Sequence, residues 1–207
     1  MIDKFCDFVM QKIKQNMDAL DEEKEMVIDF GVRLIFGELP KIVLLFIIGF
    51  ILGVGWYTIA FFFLLAAYRS FTGGFHLKTH LGCMVTTSML YLGPILLAKY
   101  ITISQEYVLY ILAALVGTFS VFVICKYAPA DTENVPILSK KERKVKKIKA
   151  YISLTILLGI ILFSPTPMIS YMFIYGITLQ NLTVLPISYK ITNNKYGYEV
   201  YQDEVAS

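Results

Sequence analysis

Long runs of residues without a charged side chain are the feature of this sequence that most constrains its fold. Residues 79–98 and 107–125 contain no Asp, Glu, Lys or Arg. Each run is close to the ~20 residues that a helix needs to cross the ~30 Å hydrocarbon core of a bilayer. A third run, residues 150–189, is about twice as long, and Pro165 and Pro167 divide it into two segments. These runs predict an all-α membrane protein rather than a water-soluble domain.

A fourth uncharged run, residues 42–68, is long for one crossing and short for two. Gly53 and Gly55 near its middle allow a sharp turn, so one tilted helix and a hairpin of two short helices both fit. The positive-inside bias favours the hairpin, because only Lys99 of the 19 basic residues then lies outside. We therefore expect a polytopic protein with about six hydrophobic helical segments and both termini in the cytoplasm.

The first 41 residues predict amphipathic helices that lie at the membrane interface, because apolar residues recur at spacings of three and four. Such helices either anchor the protein or receive an amphipathic peptide. Asp21 is placed to cap the second helix, and Gly37 with Pro40 predicts its end. The apolar positions are Ile2, Phe5, Val9, Ile13, Met17 and Leu20 in the first helix, and Met26, Val27, Phe30 and Leu34 in the second. The predicted domains are residues 1–41, a membrane domain 42–187 and a polar cytoplasmic tail 188–207.

Composition excludes two other classes of protein. Three cysteines without close pairing are too few for a disulfide scaffold, and Cys6 and Cys125 are expected to be inert. A net charge of +3 does not suggest nucleic-acid binding. The N-terminus lacks an apolar core and a small-residue cleavage site, so we expect no removed signal peptide.

Reactive side chains gather in residues 69–83, which contain both histidines, His76 and His80, together with Cys83. One chemistry open to them is a cysteine nucleophile whose proton is taken by a histidine. A continuous helix would separate His76 from Cys83 by about 10.5 Å along its axis, whereas His80 would neighbour Cys83. Spacing alone therefore favours His80 as the base. His76 qualifies only if the chain bends, and the Gly73-Gly74 pair allows a bend.

The second chemistry is a metal site formed by His76, His80 and Cys83. A zinc protease needs a Glu directly after the first His, where this sequence has Leu77. A hydrolytic zinc site is therefore disfavoured, and a structural metal stays open as an alternative. We expect no cofactor.

The pattern Arg69-x4-Gly74-x-His76-x6-Cys83 closely resembles that of the accessory gene regulator B (AgrB) family of quorum-sensing peptide processors. The run from Tyr127 to Asn134, followed by Pro136 and a basic stretch, is similar to the central cytoplasmic loop of that family. The resemblance covers nearly the whole chain. It implies a thiol endopeptidase in the bacterial cell membrane that cuts an AgrD-type propeptide at its C-terminal side and helps to close a thiolactone ring.

Carried onto this sequence, the resemblance makes Cys83 the nucleophile and His76 its histidine, in place of His80. Arg69 and Gly74 match supporting positions. Arg69 or Lys78 would help to raise the thiolate fraction, because a thiol with a pKa near ~8.5 is only slightly ionised at neutral pH. Gly73 and Gly74 would either form a tight turn or present N–H groups to an oxyanion. The positive-inside bias, which places residues 69–78 on the same side as both termini, puts this site near the cytoplasmic face.

The loop 126–149 carries the densest positive patch in the sequence. Positive-inside topology and anionic lipid head groups account for it, and capture of an acidic propeptide tail is the alternative. The candidate substrate-binding residues are Lys140, Lys141, Arg143, Lys144, Lys146 and Lys147. Expected partners are the propeptide, an anionic bilayer and a second copy of the chain in a homodimer.

Two further function classes stay in view, a peptide exporter and a membrane signalling scaffold. An exporter is expected to carry a nucleotide-binding motif or acidic relay residues inside its spans, and the sequence has neither. A scaffold would tolerate the loss of Cys83.

Overall fold

The structure, a computed structural model, describes residues 2–16, 21–77, 79–103, 105–133 and 135–201. These residues are largely helical, and within them the extended pairings are two isolated bridges, Gly73 with Ala130 and Thr132 with Val135. The helices are α1 (Ile2–Asn16), α2 (Glu22–Ile51), α3 (Gly55–Thr72), α4 (His80–Tyr100), α5 (Glu106–Lys126), α6 (Lys140–Phe163), α7 (Pro167–Val184), α8 (Pro186–Ile191) and α9 (Gly197–Val200). The predicted all-α fold class is confirmed.

The chain divides into two compact units, Met1–Gly55 and Trp56–Ser207. In the first unit α1 packs against α2 around the buried Cys6, Met10 and Val32. An ion pair between Lys14 and Glu25 joins the two helices. Both helices follow from the amphipathic pattern, because burial of one apolar face is what stabilises a short helix.

The predicted apolar stripe of α1 is only partly confirmed. Val9 and Ile13 pack against the buried cluster, whereas Phe5 is 49% exposed and meets Phe36 edge to face at 5.0 Å. Met17 and Leu20 lie outside the described residues. Nothing is described of five other predicted side chains, which are Ile2, Met26, Val27, Phe30 and Leu34.

The helix end predicted at Gly37 and Pro40 is wrong, because α2 runs through Pro40 to Ile51. A proline costs a helix one backbone hydrogen bond and usually bends it, but the apolar residues that follow continue the helix. The helix ends at Ile51, and Gly53 two residues later has a φ of +71° in the left-handed region, where the chain turns. The stretch 42–68 is therefore two helices separated by residues 52–54, not one tilted helix.

Helix α7 is the centre of the second unit. It packs against α4, α5 and α6, and most of its residues are buried. Phe61 of α3 packs on Phe173 of α7 with ring centroids 5.2 Å apart. A helix that is apolar on all sides is expected in such an interior position. Residues 164–166 separate α6 from α7, as the two prolines predicted.

The helices of the second unit alternate in direction, so their ends gather in two groups. At one end, Gly74 N–H donates to the carbonyl of Ala130, and Phe75 N–H donates to the carbonyl of Thr183. At the opposite end, the hydroxyl of Tyr171 donates to the carbonyl of Ile103 at 3.2 Å. The end of α3, the loop before α6 and the end of α7 therefore meet, and we call this the catalytic-segment end.

Two helices among the described residues are long and apolar enough to cross a membrane, by length and composition alone. They are Leu81–Tyr100 and Glu106–Lys126, which correspond to the first two runs of the sequence analysis. The remaining crossings, the count of six and the cytoplasmic termini stay predictions.

We predict that the catalytic-segment end faces the cytoplasm, because in this unit the basic residues other than Lys99 cluster towards it. An impermeant thiol reagent added to intact cells should label a Gln105→Cys variant and leave a Lys141→Cys variant unlabelled. Cys83 and Cys125 are replaced by Ser in both variants. Both positions are exposed in the structure, so labelling of Lys141→Cys in intact cells would contradict the prediction.

Candidate active site

The predicted site residues lie on a bend between two helices. Helix α3 ends at Thr72, residues 73–77 are not helical, and α4 begins at His80. Cys83 lies in the first turn of α4 and is half-buried, whereas His76 precedes the helix and is exposed. The two residues are therefore not on one continuous helix, and the 10.5 Å separation along a helix axis does not apply to them. Lys78 lies outside the described residues, as does the side chain of His80.

Gly73 and Gly74 make the bend, and both need to be glycine. Their φ angles are +78° and +140°, conformations that a side chain disfavours. A Cβ on Gly73 would lie 2.0 Å from the carbonyl oxygen of Ala130, and one on Gly74 would lie 2.6 Å from Thr183 Oγ1. The Gly73 N–H donates to the Arg69 carbonyl and the Gly74 N–H to the Ala130 carbonyl. This geometry supports the tight-turn interpretation and argues against an oxyanion site at these two N–H groups.

Arg69 joins the bend to α7. Its Nη1 donates to Gln180 Oε1 at 2.8 Å and to Thr183 Oγ1 at 3.1 Å, and its Nη2 donates to the Phe75 carbonyl at 3.0 Å. The guanidinium also interacts electrostatically with Cys83. Arg69 therefore holds the residue next to His76 and lies near the predicted nucleophile.

Two adjacent amide side chains on α7 hydrogen-bond to the end of α3, to the bend and to α5. Gln180 Nε2 donates to the Gly73 carbonyl at 2.8 Å and to Thr72 Oγ1 at 3.1 Å. The next residue, Asn181, accepts from the Tyr68 hydroxyl at 2.8 Å and donates to Ser120 Oγ at 2.7 Å. Gln180 and Asn181 are fully buried, and hydrogen bonding between helices is how a membrane interior satisfies such amides.

His76 is held through its backbone. Its carbonyl accepts a hydrogen bond from Asn194 Nδ2 at 2.9 Å, and Asn194 is 8% exposed. The predicted polar tail is thus partly a packed segment, because its Tyr189 and Tyr196 are buried beside Ala130. Their rings stack at 4.0 Å.

The Tyr189 hydroxyl donates to the carbonyls of Ala130 and Asp131, at 3.0 and 3.1 Å. Burial raises the pKa of the Tyr189 phenol above its usual range, so this hydroxyl stays protonated as a donor at and well above neutral pH. The Tyr189 hydroxyl therefore holds the loop at Ala130, the residue that pairs with Gly73.

Part of the basic patch makes contacts within the protein, and its role in substrate binding stays a prediction. Arg143 Nη1 donates to the buried Asp131 Oδ2 at 2.9 Å, and its Nη2 donates to the Pro129 carbonyl at 3.2 Å. Lys146 pairs with Glu142 at 3.0 Å, and Lys147 donates to the Cys125 carbonyl. Three other residues of the predicted set are exposed, namely Lys140, Lys141 and Lys144.

Among the described residues, no three His, Cys, Asp or Glu side chains form a metal-binding group. The alternative with His76, His80 and Cys83 is not tested by this observation, because the side chain of His80 lies outside what is described. It stays a hypothesis.

Sequence reasoning missed Gln180, Asn181, Thr183 and Asn194. An adjacent Gln-Asn pair inside a 40-residue uncharged run is a signal, because amides are costly in a membrane unless they are paired. Asn194 gave no signal, since one Asn in a polar segment is ordinary.

Comparison with known proteins agrees with this picture. The family model described as "Accessory gene regulator B" matches residues 6–184. The chain belongs to the accessory gene regulator B family. An AgrB-like protein of Listeria welshimeri serovar 6b is 27% identical over 186 residues, covering 88% of this chain and 87% of the relative. One of Clostridium acetobutylicum is 26% identical over 199 residues, covering 95% and 91%. Both relatives carry that name as a provisional assignment.

No solved structure gives a significant match. Membership of the AgrB family indicates a role in accessory gene regulator quorum-sensing processing. Together with the two apolar helices, it also indicates a membrane protein.

We predict that Gly73→Ala destabilises the protein, whereas Gly93→Ala does not. The backbone conformation of Gly73 alone would cost about 1–3 kcal/mol with a side chain, and the Ala130 carbonyl leaves no room. Gly93 lies inside α4, where nothing comes within 4 Å of an added Cβ. Thermal unfolding in detergent compares the two variants, and equal melting temperatures would contradict the prediction.

We predict that Arg143→Met lowers the free energy of unfolding by roughly 3 kcal/mol, because it leaves the Asp131 carboxylate buried without its ion-pair partner. Lys144→Met is the matched control, since Lys144 is exposed on the same helix. Adding Asp131→Asn to Arg143→Met should recover part of the loss. Equal stability of Arg143→Met and Lys144→Met would show that the ion pair does not hold the loop.

Proposed function

We propose that this AgrB-family chain is a multi-pass membrane cysteine endopeptidase that cuts the C-terminal part of a quorum-sensing propeptide and promotes ring closure. The observation that carries the proposal is the bend at Gly73 and Gly74, which separates the exposed His76 from the helix that holds Cys83 in its first turn. Arg69 lies within electrostatic range of Cys83 and holds the Phe75 carbonyl directly before His76. A thiol beside a fixed positive charge, near the start of a helix, is the setting in which cysteines become nucleophilic.

The first step transfers the Cys83 proton to the His76 imidazole, and the thiolate sulfur attacks the carbonyl carbon of the scissile peptide bond. The carbonyl oxygen takes up the negative charge of the tetrahedral intermediate. When that intermediate collapses, the carbon–nitrogen bond breaks and the leaving amine takes the proton from His76. The product of this step is an acyl-enzyme thioester at Cys83 and a free C-terminal fragment.

The second step closes the ring. A Cys or Ser side chain within the bound peptide gives its proton to His76 and attacks the thioester carbonyl. Cys83 then leaves as a thiolate and recovers the proton from His76. The exchange replaces the Cys83 thioester by a second thioester or by an ester, so the acyl group stays activated until the ring closes and no ATP is needed. Exclusion of water near the membrane surface favours ring closure over hydrolysis.

Arg69 is proposed to stabilise the thiolate. Its hydrogen-bond partners among the described residues are neutral, namely an amide, a hydroxyl and a backbone carbonyl. Its positive charge is therefore not cancelled by a carboxylate and can act on Cys83.

The partners of this reaction are proposals as well. The AgrD-type propeptide is the substrate, and the exposed Lys141 and Lys144 are candidates for contact with its acidic tail. The same charges suit the anionic inner leaflet of the cell membrane, towards which we infer that the site faces. A homodimer is a further proposal.

We predict that Cys83→Ala and His76→Ala both abolish propeptide cleavage while the protein remains in the membrane. Co-expression with the propeptide and mass spectrometry of the products is the measurement, at matched protein abundance. Cys125→Ala is the matched control for loss of a thiol, because Cys125 is exposed and lies at the end of another helix.

His80→Ala should retain most of the activity. Cleavage by Cys83→Ala would exclude the thiol mechanism and leave the exporter and scaffold classes. Activity that survives His76→Ala but is lost in His80→Ala would identify His80 as the base.

A further inference from the structure

The contact between Asn194 and His76 joins two distant parts of the chain. The donor and acceptor residues are 118 positions apart, and the hydrogen bond from Nδ2 to the His76 carbonyl is 2.9 Å long. Asn194 lies between α8 and α9, beyond residues 6–184 that match the family model. A segment outside that match therefore contacts the proposed catalytic histidine.

Asn194 is fixed in one orientation by its own neighbours. Its backbone N–H donates to the Tyr189 carbonyl at 2.9 Å, and Nδ2 also donates to Thr192 Oγ1 at 2.8 Å. An amide NH₂ has two donors, and here they are directed at Thr192 and at His76. The side chain is therefore held before it reaches the His76 carbonyl.

The segment that carries Asn194 is itself anchored to the loop behind the bend. Tyr189 is 2% exposed, and its hydroxyl donates to the carbonyls of Ala130 and Asp131. Tyr196 stacks on Tyr189, and its hydroxyl donates to the Val184 carbonyl at 2.9 Å. Asn194 lies between Tyr189 and Tyr196, so its segment is attached to the buried core on both sides.

These bonds fix the chain around His76 on two sides. Before it, the Phe75 N–H donates to the Thr183 carbonyl and the Phe75 carbonyl accepts from Arg69. At His76 itself, the carbonyl accepts from Asn194. The φ and ψ angles of His76 set the direction of its side chain, so fixing both flanking peptide groups fixes where the imidazole starts.

We propose that Asn194 is a positioning residue, which holds the His76 imidazole in reach of the Cys83 thiol by clamping the His76 carbonyl. The inference rests on the proposed cysteine-protease function. It implies that the C-terminal segment, residues 185–201, is part of the catalytic centre and acts through the backbone of His76. A shift of about 1 Å in a catalytic group can cost on the order of a hundredfold in rate, so loss of the clamp should be visible in turnover.

The test is the rate constant for alkylation of Cys83 by iodoacetamide at pH 7, followed by mass spectrometry of the Cys83 peptide. The full-length protein is used in nanodiscs as wild type, His76→Ala, Asn194→Ala and the double variant. We expect each single change to lower the rate constant by about tenfold, because the thiolate loses its imidazolium partner. The double variant should be no slower than His76→Ala, because Asn194 acts only through His76.

Kinetics of propeptide cleavage provide the second readout. Asn194→Ala should lower kcat per reactive Cys83 by about tenfold or more and leave KM within about twofold, because Asn194 does not touch the peptide. Asn194→Asp should behave like Asn194→Ala, since its carboxylate keeps the size of the side chain and removes the donor. Lys195→Ala is the matched control, because Lys195 is the exposed neighbour of Asn194 in the same segment.

Several results would overturn the proposal. An alkylation rate constant equal to that of the wild type in folded Asn194→Ala and Asn194→Asp would do so. A double variant would also do so if Asn194→Ala slowed alkylation in the His76→Ala background as much as it does alone. Loss of folding in both Asn194 variants would also overturn it, because Asn194 would then hold the fold rather than the histidine. The proposed function fails separately, if Cys83→Ala still cleaves the propeptide or if His76→Ala changes neither alkylation nor cleavage.

Discussion

The positive charge of Arg69 at the end of α3 is the constraint on which the rest of the site depends. A guanidinium has five N–H groups and is costly to place near a membrane interior unless they are paired. Gln180, Thr183 and the Phe75 carbonyl supply acceptors, and each lies on a different part of the chain from Arg69. The hydrogen bonds of Arg69 therefore join the end of α3 to the end of α7 and to the bend before α4.

The neutrality of those acceptors has a chemical consequence. A carboxylate would satisfy the guanidinium equally well and would cancel its charge, whereas an amide and a hydroxyl satisfy its geometry and leave the charge in place. Arg69 lies within electrostatic range of Cys83, so on the proposed function this uncancelled charge would favour a thiolate there. The buried carboxylate of Asp131 is paired instead with Arg143. Of the two arginines at this end, Arg143 is paired with a carboxylate and Arg69 is hydrogen-bonded to neutral acceptors.

Sequence patterns predicted what depends on neighbours along the chain. Charge-free runs located α4 and α5, and the Gly73-Gly74 pair predicted the bend that releases His76 from the helix of Cys83. Pro40 misled the prediction of α2, because a local helix breaker was outweighed by the apolar run that follows it. The partners of the bend, Ala130, Gln180 and Asn194, lie more than 50 positions away from it, and no local pattern reports a contact at such a separation in sequence.

The structural use of part of the basic patch changes how charge substitutions in AgrB-family chains like this one should be interpreted. Neutralising Arg143 removes the partner of Asp131, and Asp131 follows the residue whose carbonyl binds Gly74. If the proposed function holds, a loss of cleavage in such a variant would resemble a loss of substrate capture, although its cause would be a displaced bend. Lys141 and Lys144 are exposed on the same helix and touch none of these groups in the described contacts. Substitutions of Lys141 or Lys144 therefore test whether the patch attracts an acidic peptide without disturbing the loop that packs against the bend.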